Sequence, residues 1–153
     1  MNFAYISPTL NKLVVTSLSK DCSLEQAINI EIIPRNQPLL KLEPNQVNCH
    51  DDPLGSFFDC WTFDDHTNPT KIIVDIEAAK TSWKKTLIDR RDFQLHVLDK
   101  KQMIALGRGD TTEVSRLEEM KQSLRDLPKS INMDHIKTIS ELTEYVPAIL
   151  LAD

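Results

Sequence analysis

The sequence predicts an α+β fold: a small N-terminal antiparallel β-sheet over residues 1–74, followed by a C-terminal antiparallel helical hairpin and a short third helix over residues 75–153. Three observations predict it. The first half breaks into short β-like runs bounded by Pro34, Pro38, Pro44 and Pro53. The second half carries apolar residues at helical spacing with no proline between residues 75 and 106. Between its two long stripes stands a short glycine-containing turn, Gly107-Arg108-Gly109-Asp110. The length suits one domain or two small lobes, and 41% hydrophobic residues suffice for a core.

The runs at residues 3–6, 12–18, 29–33, 39–42 and 57–63 are the expected strands. In the third, Ile28, Ile30 and Ile32 alternate with Asn29 and Glu31, the period of a half-buried strand. Just before it, Ser23 with Gln26 three residues later forms a capping box for one short helical turn. Residues 43–70 are the least regular stretch, and Phe57, Phe58, Trp61 and Phe63 concentrate the aromatic area of the first half there. Read as one strand, residues 57–63 are apolar on both faces, so both faces need cover.

Asp75 is placed to cap the first long helix, because its carboxylate can accept from a free N–H of the first turn. Ile76, Ala79, Trp83, Leu87, Leu95 and Leu98 form the stripe behind it, and Trp83 is expected to join the hairpin to the sheet. Asp110 or Thr111 caps the second helix, whose stripe runs Val114, Leu117, Met120, Leu124 and Leu127 to a stop at Pro128. A third helix is expected from about residue 133 to 146, with Ile136, Ile139, Leu142 and Val146 inward, Pro147 as its stop and the apolar end 148–152 folded back or free for contact. Two stripes joined by a short turn must fold onto each other, since neither buries its face alone. With the turn centred near Gly109, residues at equal height have numbers that sum to about 218. That register predicts crossed charge pairs, Arg91 with Asp126 and Asp92 with Arg125.

Charge and composition exclude several functions. The formal net charge is −5, and all of it lies in the first 70 residues, with four basic and nine acidic side chains. Such a chain lacks the basic footprint that neutralises a phosphate backbone, so nucleic acid is not an expected partner. No apolar run approaches the ~20 residues of a membrane span. The first residues carry neither a basic n-region nor a long apolar stretch, so no signal peptide is expected, and an odd set of three cysteines fits a reducing cytoplasm. Three glycines are too few for a loop that cradles phosphate, so no nucleotide is expected.

No side-chain set converges on catalysis. Cys49, His50, Cys60 and His66 are the right types for zinc, but the first two are adjacent and Cys60 lacks a CxxC partner. Packing and loop roles are the better reading, and no metal, cofactor or small-molecule substrate is expected. His96 stands near Asp92 and Asp99 on a helix, an ordinary solvated arrangement with no nucleophile beside it. The pairs Asp51/Asp52 and Asp64/Asp65 lack the alternating loop and distal glutamate of a calcium site, and read as turn-forming surface acids. Arg108-Gly109-Asp110 spells an adhesion tripeptide but sits where a turn and a cap are needed. An enzyme is the weakest reading.

Residues 75–128 carry an ordered pattern: Arg90, Arg91, Leu95, Leu98 and Asp99; then Ala105, Gly109, Asp110 and Thr111; then Lys121, Gln122, Leu124, Arg125 and Asp126. In this order the pattern resembles the C-terminal region of phage tail and tail-fibre assembly chaperones. Some of those families place Trp after the Leu-Asp pair where this chain has Lys100. The resemblance implies a non-catalytic helper, in the host cytoplasm during assembly, that binds a trimeric tail-fibre protein and assists its folding or trimerisation. Unassembled fibres expose strand edges and apolar seams that aggregate. On this reading Phe57, Phe58, Trp61 and Phe63 are the expected client-contacting residues, with the helical hairpin as the alternative face. The runner-up function is a structural component of the fibre or baseplate retained in the virion. A small inhibitor of a host protein fits the acidic first half but not the helical pattern.

Overall fold

A computed structural model describes residues 1–43 and 49–151. Pro44 and Ala152, expected at a strand boundary and in the folded-back end, lie outside the described residues. The fold is α+β, with small antiparallel sheets followed by long helices, and the chain divides into two compact units, Met1–Ala79 and Lys80–Asp153.

In the first unit, β1 (Asn2–Ile6), β2 (Leu13–Ser17) and β3 (Leu39–Leu42) form a sheet in the order β2-β1-β3. Both pairings are antiparallel, with Ala4 opposite Val15 on one side and Leu40 on the other. The central strand is apolar on both faces. Phe3 and Tyr5 pack with Leu18, Ala27 and Ile33, whereas Ala4 packs with Leu13, Leu42, Trp61, Phe63 and Ile72. Period-two alternation thus splits one strand between two cores. The second core is closed by a two-stranded ribbon, β4 (Trp61–Phe63) paired with β5 (Ile72–Val74).

Residues 29–33 do not form a strand. The Ser23/Gln26 capping box is present and starts α1 (Leu24–Asn29), a full helix rather than a single turn. Ile32 N–H then bonds to Ala27 O at 2.9 Å and Glu31 N–H to Ile28 O at 3.2 Å, while Glu31 takes a positive φ of 60°. That is a Schellman termination, and its left-handed residue breaks any extended run. The alternating isoleucines follow helix and turn geometry, so Ile30 and Ile32 are exposed while Ile33 is the core residue.

Residues 57–63 also differ from a single strand: a 3-10 turn, Phe58–Cys60, precedes β4. The reason is Asp52. Its carboxylate, 2% exposed, accepts from Ser56 N at 2.9 Å, Phe57 N at 2.7 Å and the Trp61 indole N–H at 3.0 Å. A buried carboxylate needs such donors, and gathering them curls the chain at the point where alternation suggested extension. Asp52 is therefore a core organiser, whereas Asp64 and Asp65 do serve the surface turn between β4 and β5. Asp64 accepts from Thr70 N at 2.9 Å and from the Thr70 hydroxyl, and Asp65 from Thr67 N at 2.6 Å.

The second unit holds most of α2 (Ile76–Gly107), together with α3 (Thr111–Ser130) and α4 (Ile139–Glu144). Asp75 caps α2 through Glu77 N at 3.0 Å and Ala78 N at 3.1 Å. Gly109, with φ of 71°, makes the turn, and Asp110 caps α3 through Glu113 N at 3.0 Å. Leu98, Ala105, Leu117 and Leu124 form the buried seam of the hairpin. Pro128 does not end α3. In the last turn its ring removes a single bond, and Ile131 N–H still reaches Leu127 O at 3.2 Å. The third helix is shorter than residues 133–146, because the Thr138/Glu141 capping box fixes its start late and Tyr145 is already extended. Trp83, expected to reach the sheet, donates within this unit to Tyr145 O at 2.9 Å, and Gln94 Nε2 donates to Leu150 O at 3.3 Å. Together they strap the C-terminal segment along α2, with Ile149 and Leu150 packed against the hairpin core.

Candidate functional site

The four aromatics expected to contact a client do not form a surface patch. Phe57 is 4% exposed, Trp61 6% and Phe63 2%, and of the four only Phe58 is exposed. The Trp61 indole is committed to Asp52, and Phe63 packs with Ala4, Leu13 and Ile72. These side chains hold the first unit together. Their density in the sequence marks a core rather than an interface.

The crossed pairs Arg91–Asp126 and Asp92–Arg125 are absent. Arg91 pairs with its neighbour Asp92 at 2.7 Å, Arg125 with Glu118 at 2.7 Å, and Asp126 with Lys129 at 2.9 Å. The helices are instead tied by Lys121, whose side chain is largely buried and whose Nζ lies 2.6 Å from Asp99 and 2.9 Å from Gln102 Oε1. Gln102 in turn donates to Glu118 at 3.0 Å. The pairs Asp99/Lys121 and Gln102/Glu118 both sum to 220, two more than the expected register. The Arg-Asp dipeptides find their partners on their own helices instead. The Arg125 and Gln102 hydrogen bonds hold the Glu118 carboxyl at about 2, well below its usual 4.5.

The remaining sequence candidates stay apart. The Cys49 thiol is buried and donates to Ile72 O at 3.6 Å, while His50 is exposed and faces Asp51. Burial pushes the Cys49 and Cys60 thiols up, which makes them poor nucleophiles. Among the described residues, no group of three or more His, Cys, Asp or Glu side chains converges on a metal-sized site. His96 Nδ1 lies 2.7 Å from the Asp92 carbonyl of its own helix.

What the structure brings together lies elsewhere, on the helical unit. Phe93, 71% exposed, stands between two hollows. One is a groove of about 200 Å³ floored by Val97, Leu98, Met120, Leu124 and Ile149, with Lys101 at its rim. The other lies on the far side of Phe93, between Arg90, Asp89 and Leu150. Ile104, 55% exposed, extends the apolar line along α2. Phe93, Val97 and Ile104 stand four and seven residues apart and so share one helix face, a second stripe beside the buried one. Sequence reasoning followed the first stripe and passed over the second. The available signal was an α2 that is apolar on more of its circumference than one partner helix can cover.

Polar groups at this face are incompletely matched. Gln94 lines both hollows, and its amide orientation is fixed by donation to Leu150 O. Its buried Oε1 then has no donor among the described residues. Arg90 lies over the Trp83 ring at 5.4 Å, and Lys101 is near enough to Glu113 to help lower that carboxyl's pKa without forming a salt bridge to it. The face thus combines an apolar trough and an aromatic ridge with a buried, unsatisfied acceptor and two solvent-exposed cations. Among the described residues no helix is long and apolar enough to cross a membrane. The chain matches no family model, no curated protein and no solved structure.

Proposed function

We propose that the chain is a non-catalytic assembly protein, a folding or trimerisation helper of a phage tail fibre, and that it holds its client on the apolar face of the helical unit. The phage assignment rests on the ordered pattern across residues 75–128. The observation that carries the binding role is Phe93, a large aromatic left 71% exposed beside a groove floored by core residues. An exposed aromatic ridge next to an apolar pocket is the usual anatomy of a binding hot spot. The hairpin behind it is rigid, fixed by the Lys121 network and by the strap that Trp83 and Gln94 hold. A fibre chain before trimerisation offers the complementary surface, an apolar seam that must be kept from aggregating.

The test is co-expression with a tail-fibre protein of the same genome, scored by the soluble trimeric fraction of the fibre. The wild-type chain raises that fraction, and Phe93→Ala together with Val97→Ser abolishes the gain. Phe58→Ala leaves it intact. A fibre that trimerises equally well alone refutes the assignment.

A further inference from the structure

Resting on the reading of this face as a binding surface, we infer that its occupant is an amphipathic α-helix of the partner, apolar toward the groove and acidic along its flank. Secondary structure of the occupant follows from the groove walls. They are side chains of α2, α3 and the strap, with no open strand edge to pair with. An extended segment would bring unpaired N–H and C=O groups into an apolar trough, whereas a helix arrives with its backbone satisfied. Helix-in-groove docking is the mode that fits.

Charge follows from the rim. Arg90, Gln94 and Lys101 lie at steps of four and seven along α2, on one line beside Phe93. At 1.5 Å per residue the two cations are about 16 Å apart, three turns of a helix lying alongside. Carboxylates about eleven residues apart on the partner therefore meet both cations, with aliphatic residues between them over the apolar trough. Asp89, on the far rim beyond Arg90, repels a carboxylate placed there and so biases the helix toward the Lys101 side.

The probe is a fluorescein-labelled amphipathic peptide of about 18 residues, five helical turns, with Leu and Phe on one face and Glu on the flanks. A second peptide carries Lys in place of each Glu. Anisotropy titrations against the full chain should show saturable binding of the Glu peptide and at least about tenfold weaker binding of the Lys peptide. The double reversal Arg90→Glu/Lys101→Glu should invert that order, and Phe93→Ala should weaken both peptides alike. All three side chains are exposed, so circular dichroism melts of these variants should match the wild type; Arg90→Ala/Lys101→Ala, which should erase the preference without inverting it, is the second check.

Equal affinities, or no binding of either peptide, overturn the inference. So does binding to phosphatidylserine vesicles in preference to the Glu peptide, which assigns the face to a lipid surface. Sedimentation of the wild type as a dimer that Phe93→Ala dissociates also overturns it, by assigning the face to a second copy. The peptide assay is independent of any fibre. Binding of the Glu peptide without a fibre effect keeps this inference and removes the fibre assignment; a fibre effect with indifferent peptides does the reverse.

Discussion

Asp52 is the sharpest place to test the account of the first unit. Its two oxygens divide the work unequally: Oδ1 serves Ser56 N, while Oδ2 serves both Phe57 N and the Trp61 indole. Asp52→Ala leaves two buried donors with no acceptor, at about 1–3 kcal/mol each, for a loss of about 4 kcal/mol. Asp52→Asn behaves differently. The amide turns its single oxygen toward the site that serves two donors, gives up only the partly exposed Ser56 bond, and weakens the others from charge-assisted to neutral strength. The expected loss is about 2 kcal/mol. The chain has two tryptophans, Trp61 and Trp83, so a Trp83→Phe background makes fluorescence a reporter on the first unit alone. In urea, with m of about 1.5 kcal/mol/M, the midpoint should fall by a little over 1 M for Asn and nearly 3 M for Ala. Equal losses for the two variants, or an unchanged midpoint for Ala, would refute the claim that this carboxylate shapes the turn.

Two backbone predictions run in opposite directions. Glu31, at φ of 60°, gains from Glu31→Gly by about 0.5–1 kcal/mol, and Gly109→Ala, at φ of 71° with nothing within 4 Å of the added methyl, loses about 1 kcal/mol through conformation alone; thermal melts of both variants decide. Acid titration tests the hairpin ties. Because the Glu118 carboxyl is held at about 2 against 4.5 in the unfolded chain, its contribution is fully present above 4.5 and is lost as pH falls through about 2. Glu118→Gln should remove that part of the acid sensitivity of the second unit, read by helix circular dichroism between those limits. Lys121→Met, which keeps the packed stem and frees the half-exposed Asp99 and Glu118 to water, should be milder than Lys121→Ala in a denaturant titration.

The caps of both long helices and the glycine turn were legible in the sequence because they are local: Asp75, Gly109 and Asp110 act within four residues of themselves. So were β1, β2 and β3. The strand expected at residues 29–33 failed because alternation of Ile28, Ile30 and Ile32 cannot register that Glu31 turns left-handed, a state set by the Schellman bonds to Ala27 and Ile28. The aromatic cluster failed as a contact patch for a tertiary reason. Trp61 reads the same whether it seeks a partner or an aspartate nine residues upstream. The groove beside Phe93 was hidden because it needs Ile149, held in place across 56 residues by the Gln94–Leu150 bond, and no periodicity encodes that.

The strap along α2 also has a bearing on how specificity could be altered. Both of its fastenings, Trp83 to Tyr145 and Gln94 to Leu150, end on main-chain carbonyls. Every residue type supplies that acceptor, so these two fastenings do not depend on the side chain at position 149, whose own contribution is its packing on the hairpin core. Ile149 thus works as an exchangeable insert on a fixed mount: Val, Met or Phe there re-cuts the width of the trough and, with it, the packing on the hairpin core.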